Sequence, residues 1–100
     1  MTTWFSMIHP PRADFIATIT EEEAAIMGRH RDYLASLLEA GVLIAAGPTW
    51  GQASDDGVMI FEADDRAAAE AIMAEDPSVV SGLMTPELRE MRLTFLRGHS

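Results

Sequence analysis

Between Thr20 and Pro48 the chain reads TEEEAAIMGRHRDYLASLLEAGVLIAAGP, and no other stretch limits the possible folds so tightly. Thr20 with Glu23 three positions later forms a capping box, whose side chains satisfy orphan backbone donors at a helix start. Glu21, Glu22 and Glu23 crowd the first turn, where the helix dipole favours negative charge. Gly41 supplies the left-handed residue that closes a helix. About twenty helical residues make a rod about 30 Å long, enough to cross one face of a small sheet. Val42 to Ala46 comes next as a nearly continuous apolar strand, which predicts a central, well-covered position, and Gly47-Pro48 stops it.

The remaining segments are shorter. Trp4 to His9 is a strand ended by Pro10-Pro11, with Trp4, Ser6 and Ile8 on one face and Phe5, Met7 and His9 on the other. Pro10 to Ile19 is a connection anchored by Phe15 and Ile16, and Thr49 to Asp56 reads as an exposed turn. Gly57 to Glu62 is a third strand, paired to the second as a hairpin. Asp64 or Asp65 caps a second helix, RAAAEAIMAE, with an inner stripe of Ala68, Ala69, Ile72 and Met73. Asp76-Pro77 ends it, because the residue before proline is pushed out of helical geometry. Ser81-Gly82 turns the chain, Pro86 interrupts the final segment that begins at Leu83, and Met91 to Leu96 is predicted as the last strand.

Strand, helix, strand, strand, helix, strand is the order of an α+β split βαβ sandwich, an antiparallel sheet with both helices on one face. One domain spanning residues 1–100 is expected. The other sheet face then carries some of Phe5, Met7, Met59, Phe61 and Leu93 or Phe95, too apolar to meet water. A face-to-face homodimer with two-fold symmetry covers it most simply.

Composition removes several functions. Hydrophobic residues make up 48%, as in a globular chain, and without cysteine there is neither disulfide nor thiolate chemistry. Sixteen acids against seven bases, all of them arginine, leave a formal charge of −9. That balance speaks against nucleic acid and anionic membrane surfaces, which need a basic face. No apolar run is long enough to span a bilayer, and MTTWFSMIHPPR has no basic leader region. A cytoplasmic location and no cofactor are expected.

Few residues carry chemistry. His30 shares the inner face of the long helix with Met27, Leu34, Leu37 and Leu38, whereas Asp32 points roughly 200° away at about 100° per residue. A histidine there is either a hydrogen-bonded core residue or a group at the floor of a pocket. Asp76 before Pro77 and Ser78 is a natural cap for a short turn, although the end of the second helix is an unfavourable place for negative charge. His9 and Arg12 are suited to hold an anionic substrate group, arginine matching carboxylate geometry; the plainer alternative is a surface loop beside two prolines. Gly47 and Pro48 turn the chain and can lend backbone to a pocket wall. Arg92 faces the pocket or pairs with a glutamate. No local spacing supports a metal site. His99 belongs to the tail, and the seven methionines are pliant core filler.

Taken together, the first strand, His30-Arg31-Asp32-Tyr33-Leu34, the Glu39 to Pro48 pattern E-x-G-x-L-x-x-x-G-P, the second-helix alanines and Asp76-Pro77 resemble the YCII-related domain family, within the dimeric α+β barrel group. The match covers nearly the whole chain; Leu83 to Met91 departs from the family's last strand. The resemblance implies a ferredoxin-like fold, a homodimer, and a His–Asp pair at His30 and Asp76 in a pocket between helix and sheet. A few related proteins act on small chlorinated or hydroxylated rings. The function so implied is acid–base chemistry of lyase, isomerase or dehalogenase type on a small cyclic or aromatic substrate. His30 would move the proton, Asp76 would orient it, and His9, Arg12, Gly47 and Pro48 would hold the substrate. The rival is a noncatalytic ligand-binding or protein-interaction module. A third idea, oxygenation without a cofactor as in the wider barrel group, calls for a closed cavity lined by Trp4, Phe61 or Trp50.

Overall fold

The computed structural model describes residues 1–51 and 53–98. In chain order the elements are β1 (Thr2–His9), α1 (Phe15–Thr18), α2 (Glu21–Glu39), β2 (Leu43–Pro48), β3 (Gly57–Ala63), α3 (Arg66–Ala74), α4 (Pro77–Val80) and β4 (Thr85–Met91). The strands form one antiparallel sheet in the order β2-β3-β1-β4, the split βαβ arrangement expected from the pattern.

Local chemistry accounts for the helix ends. Glu23 N–H donates to Thr20 Oγ1 at 3.1 Å and Thr20 N–H to the Glu23 carboxylate at 3.0 Å, so the capping box is complete. At the far end Gly41 takes φ 78°, and Val42 N–H reaches back to the Leu37 carbonyl at 2.9 Å, which seals the last turn. Asp65 caps α3 by accepting from Ala68 N–H at 2.8 Å.

Residues opposite one another in an antiparallel ladder share a face. Trp4 pairs with Phe61 and Ser6 with Met59, so all four point toward the helices and are buried. Met59 and Phe61 are therefore core and not the bare face expected for them; that face holds Phe5, Met7, Val58 and Ile60, each half-buried. Gly57 lets β3 approach β1, since a Cβ there would lie 2.9 Å from Ile8 Cγ1.

Two strands differ from expectation. β4 is Thr85–Met91, while 92–96 have no regular structure. Pro86 misled the sequence reading: β4 is an edge strand, where a proline can sit because one side of the backbone has no ladder to serve. β2 is also an edge and not a central strand; it carries a bulge between Leu43 and Ala45, runs on through Pro48, and is exposed from Ala45 onward. Its apolar content belongs to the wall of a cavity.

Candidate active site

His30 lies midway along α2, and Asp76 directly follows Glu75, the C-cap of α3. The chain brings them together because Asp76 N-caps α4: its Oδ1 accepts from Ser78 N–H at 2.9 Å and from Ser78 Oγ–H at 2.9 Å. The same carboxylate accepts from His30 Nδ1, 2.9 Å from Oδ1 and 2.8 Å from Oδ2. Asp76 is thus both the cap foreseen for a short turn and a histidine partner. It is buried, with 1% of its side chain exposed against 15% for His30. A carboxylate on Nδ1–H selects the tautomer whose lone pair is on Nε2. Nε2 has no partner among the described residues, where no buried side-chain nitrogen or oxygen is left unsatisfied, so this atom is open to the adjoining space.

That space is a cavity of about 540 Å³ between α2 and the sheet. Met27, Leu34, Leu43, Met59 and Met84 give it an apolar wall, with Phe15 and Ile16 of α1 at one end; Ser6, His30, Asp55 and Asp76 are polar parts of its lining. Gly47 and Pro48 line it through β2, as do Ala45 and Ala46. Tyr33, one turn from His30, donates its hydroxyl to the Ile72 carbonyl at 2.6 Å and ties α2 to α3; burial pushes its phenol up to about 12.

His9 and Arg12 stand elsewhere. His9 bridges two carboxylates, Nδ1 at 3.0 Å from Asp56 and Nε2 at 2.9 Å from Glu87, which raises its pKa, Glu87 contributing most. Arg12 grips Glu23 with both terminal nitrogens at 2.9 and 2.7 Å, caps the Phe15 ring, and donates through Nε to Thr18. Its guanidinium brings the Glu23 carboxyl down to about 2. Neither residue lines the cavity, so both are structural ties in this geometry. Trp4 and Phe61 are core and Trp50 is exposed; none of the three lines the cavity either, which removes the cue for cofactor-free oxygenation. Arg92 is exposed in the segment after β4. His99 falls outside the described residues.

The residue pattern does not single out Ser78, Ser6 or Asp55 as parts of the site. Ser78 carried a signal, since Asp-Pro-Ser is a cap in which the serine sits two residues past the acid. Ser6 carried one too, a hydroxyl between Trp4 and Ile8 on the inward face of β1. Asp55 carried none.

The layered βαββαβ sheet and a helix-borne histidine over a cavity define a small ferredoxin-like α+β protein. A family model, the YCII-related domain, matches residues 3–92, and the chain belongs to that family. No curated protein sequence matches it. Among solved structures it is similar to 5-chloro-2-hydroxyhydroquinone dehydrochlorinase from Burkholderia phenoliruptrix, in complex with 2,5-dihydroxybenzoquinone, at 18% identity over 89% of this chain and 93% of that one, TM-score 0.66. A muconolactone isomerase aligns at 13% identity over 100% and 97%, TM-score 0.64. A dimeric ferredoxin-like protein from an uncultured marine organism aligns at 14% over 97% and 100%, TM-score 0.51. At such identities the likeness establishes the shared fold. Among the described residues no helix is long and apolar enough to cross a membrane, and no group of three or more acidic or histidine side chains is arranged to hold a metal ion.

Proposed function

We propose that the protein is a small-molecule enzyme that moves a proton with His30, oriented by Asp76, on a cyclic or aromatic substrate held in the cavity. One observation carries this reading: the imidazole has its Nδ1 on a buried carboxylate at 2.8 Å while the ring borders about 540 Å³ of mostly apolar space. Nε2 would take a proton from a carbon or oxygen of the substrate and return it elsewhere, and Asp76 would stabilise the imidazolium formed in between. Such assistance is worth about 10²- to 10⁴-fold, enough for an isomerisation, a lyase step or loss of chloride from an activated ring. Structural neighbours that include a dehydrochlorinase and an isomerase support the general class. Gly47 and Pro48 shape the wall beside the substrate.

The test is a thermal-shift screen of catechols, lactones and halogenated phenols against wild type and His30→Ala, with turnover assays on every hit. Stabilisation by a ligand grows with its concentration over Kd. The expected result is a shift lost in His30→Ala and turnover lost in Asp76→Asn. Hits that survive His30→Ala unchanged sink the site assignment, and binding without turnover favours the noncatalytic module.

The same proposal includes a cytoplasmic homodimer closed over the sheet face that bears Phe5, Met7, Val58 and Ile60. Sedimentation velocity checks it: wild type should run as a dimer and Ile60→Glu as a monomer. A monomeric wild type ends that part of the proposal.

A further inference from the structure

We infer that Arg31, at the rim of the cavity, determines specificity by pairing with a carboxylate on the substrate, whose apolar body then occupies the space beside His30. The inference rests on the proposed function and adds to it the charged group by which the substrate is held and pointed.

Arg31 follows His30 on α2 and lines the same cavity, yet it is exposed, so it stands at the rim and not on the floor. An arginine at such a border lays its aliphatic stem along apolar surface and keeps its guanidinium in water. The other exposed residues of the lining, on α1, α2 and β2, carry no charge.

The guanidinium is also uncommitted. Arg12 is spent on Glu23, Arg66 lies near Glu70 and over Trp4, and Arg89 is held by Glu87. Arg31 has no ion pair among the described residues. Its helix neighbours three and four positions away are Met27, Gly28, Leu34 and Ala35, none of them acidic in a chain with sixteen acids. The anion-holding role expected of Arg12 thus falls to the arginine that folding leaves at the cavity.

The two carboxylates in the lining set a direction. Asp76 accepts from His30 and Ser78, and Asp55 accepts from Ile16 N–H at 3.1 Å. Both repel an anion that enters head first, so a substrate carboxylate stays at the rim and the uncharged end goes in toward Met27, Leu34 and Met59. One guanidinium, whose fork matches a carboxylate, balances a single negative charge; a phosphate dianion would call for a second cation.

Isothermal titration of 3-phenylpropanoate against 3-phenylpropanamide, alike in shape and different in charge, reads this directly. Wild type is expected to bind the carboxylate about 5-fold more tightly, the modest factor of a partly exposed ion pair. Arg31→Gln should abolish that preference and leave the amide unchanged. Arg31→Lys should keep part of it, since the charge stays and the fork is lost. Arg29→Gln makes the same change of charge on α2 outside the cavity and should leave the preference intact. Raising salt from about 0.02 to 0.5 M should weaken the carboxylate only. Equal binding of the two probes by wild type overturns the inference, and so does a preference that survives Arg31→Gln. A loss in Arg29→Gln as large as in Arg31→Gln overturns it too, by assigning the effect to net charge. Binding indifferent to His30→Ala sinks the proposed site, whereas binding that needs His30 but ignores the carboxylate sinks the Arg31 assignment alone. Failure of the carboxylate to bind at millimolar concentration also overturns the inference.

Discussion

The two main helices lie on the same sheet face and do opposite things with it. In α3, Ala69 and Met73 are buried against the sheet, and the alanines let the backbone come close to Trp4, Phe61 and Ala63. α2 is about twice as long, yet none of its residues is buried; Met27, Leu34 and Leu37 are only partly covered. It stands off the sheet above the cavity, held at its ends by its caps and in the middle by Tyr33 and the His30–Asp76 contact. Interiors are normally close-packed, and voids cost stability. A small chain that leaves about 540 Å³ unfilled under its longest helix forgoes burial that larger side chains at Ser6 or Ala46 would supply. The proposed binding role would account for that sacrifice where packing does not.

The most forceful way to break this contrast is to truncate one side chain in each half. Phe61→Ala should cost about 3–5 kcal/mol, because its fully buried ring leaves a hole in dense packing. Leu34→Ala should cost about 1 kcal/mol, since its side chain already borders open space. Urea unfolding measures both, and equal losses would mean that the α2 half is as tightly packed as the α3 half.

A smaller effect tests how α2 is held. Asp76→Ala removes a cap and the histidine's partner together and should cost about 2 kcal/mol, whereas Asp76→Asn, which keeps an acceptor for Ser78 N–H, should cost about half that. If the two variants unfold at the same urea concentration, the charge and not the cap holds α4 and α2 together.

How much of this could be read from residues alone divides along the same line. Caps and stops are local, so Thr20, Glu23, Gly41 and Asp65 declared α2 and α3 almost to the residue. The strand order came from the alternation of elements. Face assignment and edge position are not local: whether Met59 points in depends on its pairing with Ser6, and whether Pro86 is tolerable depends on β4 having one neighbour. Apolar alternation in Met91 to Leu96 looked more strand-like than TPELREM, yet β1 pairs with the latter. The cavity had no signature of its own. His30 and Asp76 lie 46 positions apart, and short of the fold itself only the family resemblance joins them. His9 and Arg12 looked like ligand holders because their nearby partners, Glu87, Asp56 and Glu23, are brought in by folding.

The subtlest contrast is between the two ends of the sheet. One end is closed by Trp4 and Phe61, which have no charge to titrate; the other is tied by His9 between Asp56 and Glu87, with Arg89 on the far side of Glu87 at 2.8 Å. The pKa of His9 is raised above its ordinary 6.5, so its stabilising contribution is complete below that value and is lost as pH rises through the folded-state pKa. Asp56 and Glu87 are lowered from 3.8 and 4.5, so their share is present above those values and fades as acid titrates the folded carboxylates. The stability difference between wild type and His9→Gln should therefore be greatest between pH 4.5 and 6.5 and shrink on either side. With His9 partly exposed the difference will be small, best read as the change in urea midpoint with pH. Phe61→Leu, at the other end, should shift that midpoint by the same amount at every pH. A His9→Gln difference that stays flat across the range would show that the tie is held by hydrogen bonds indifferent to charge.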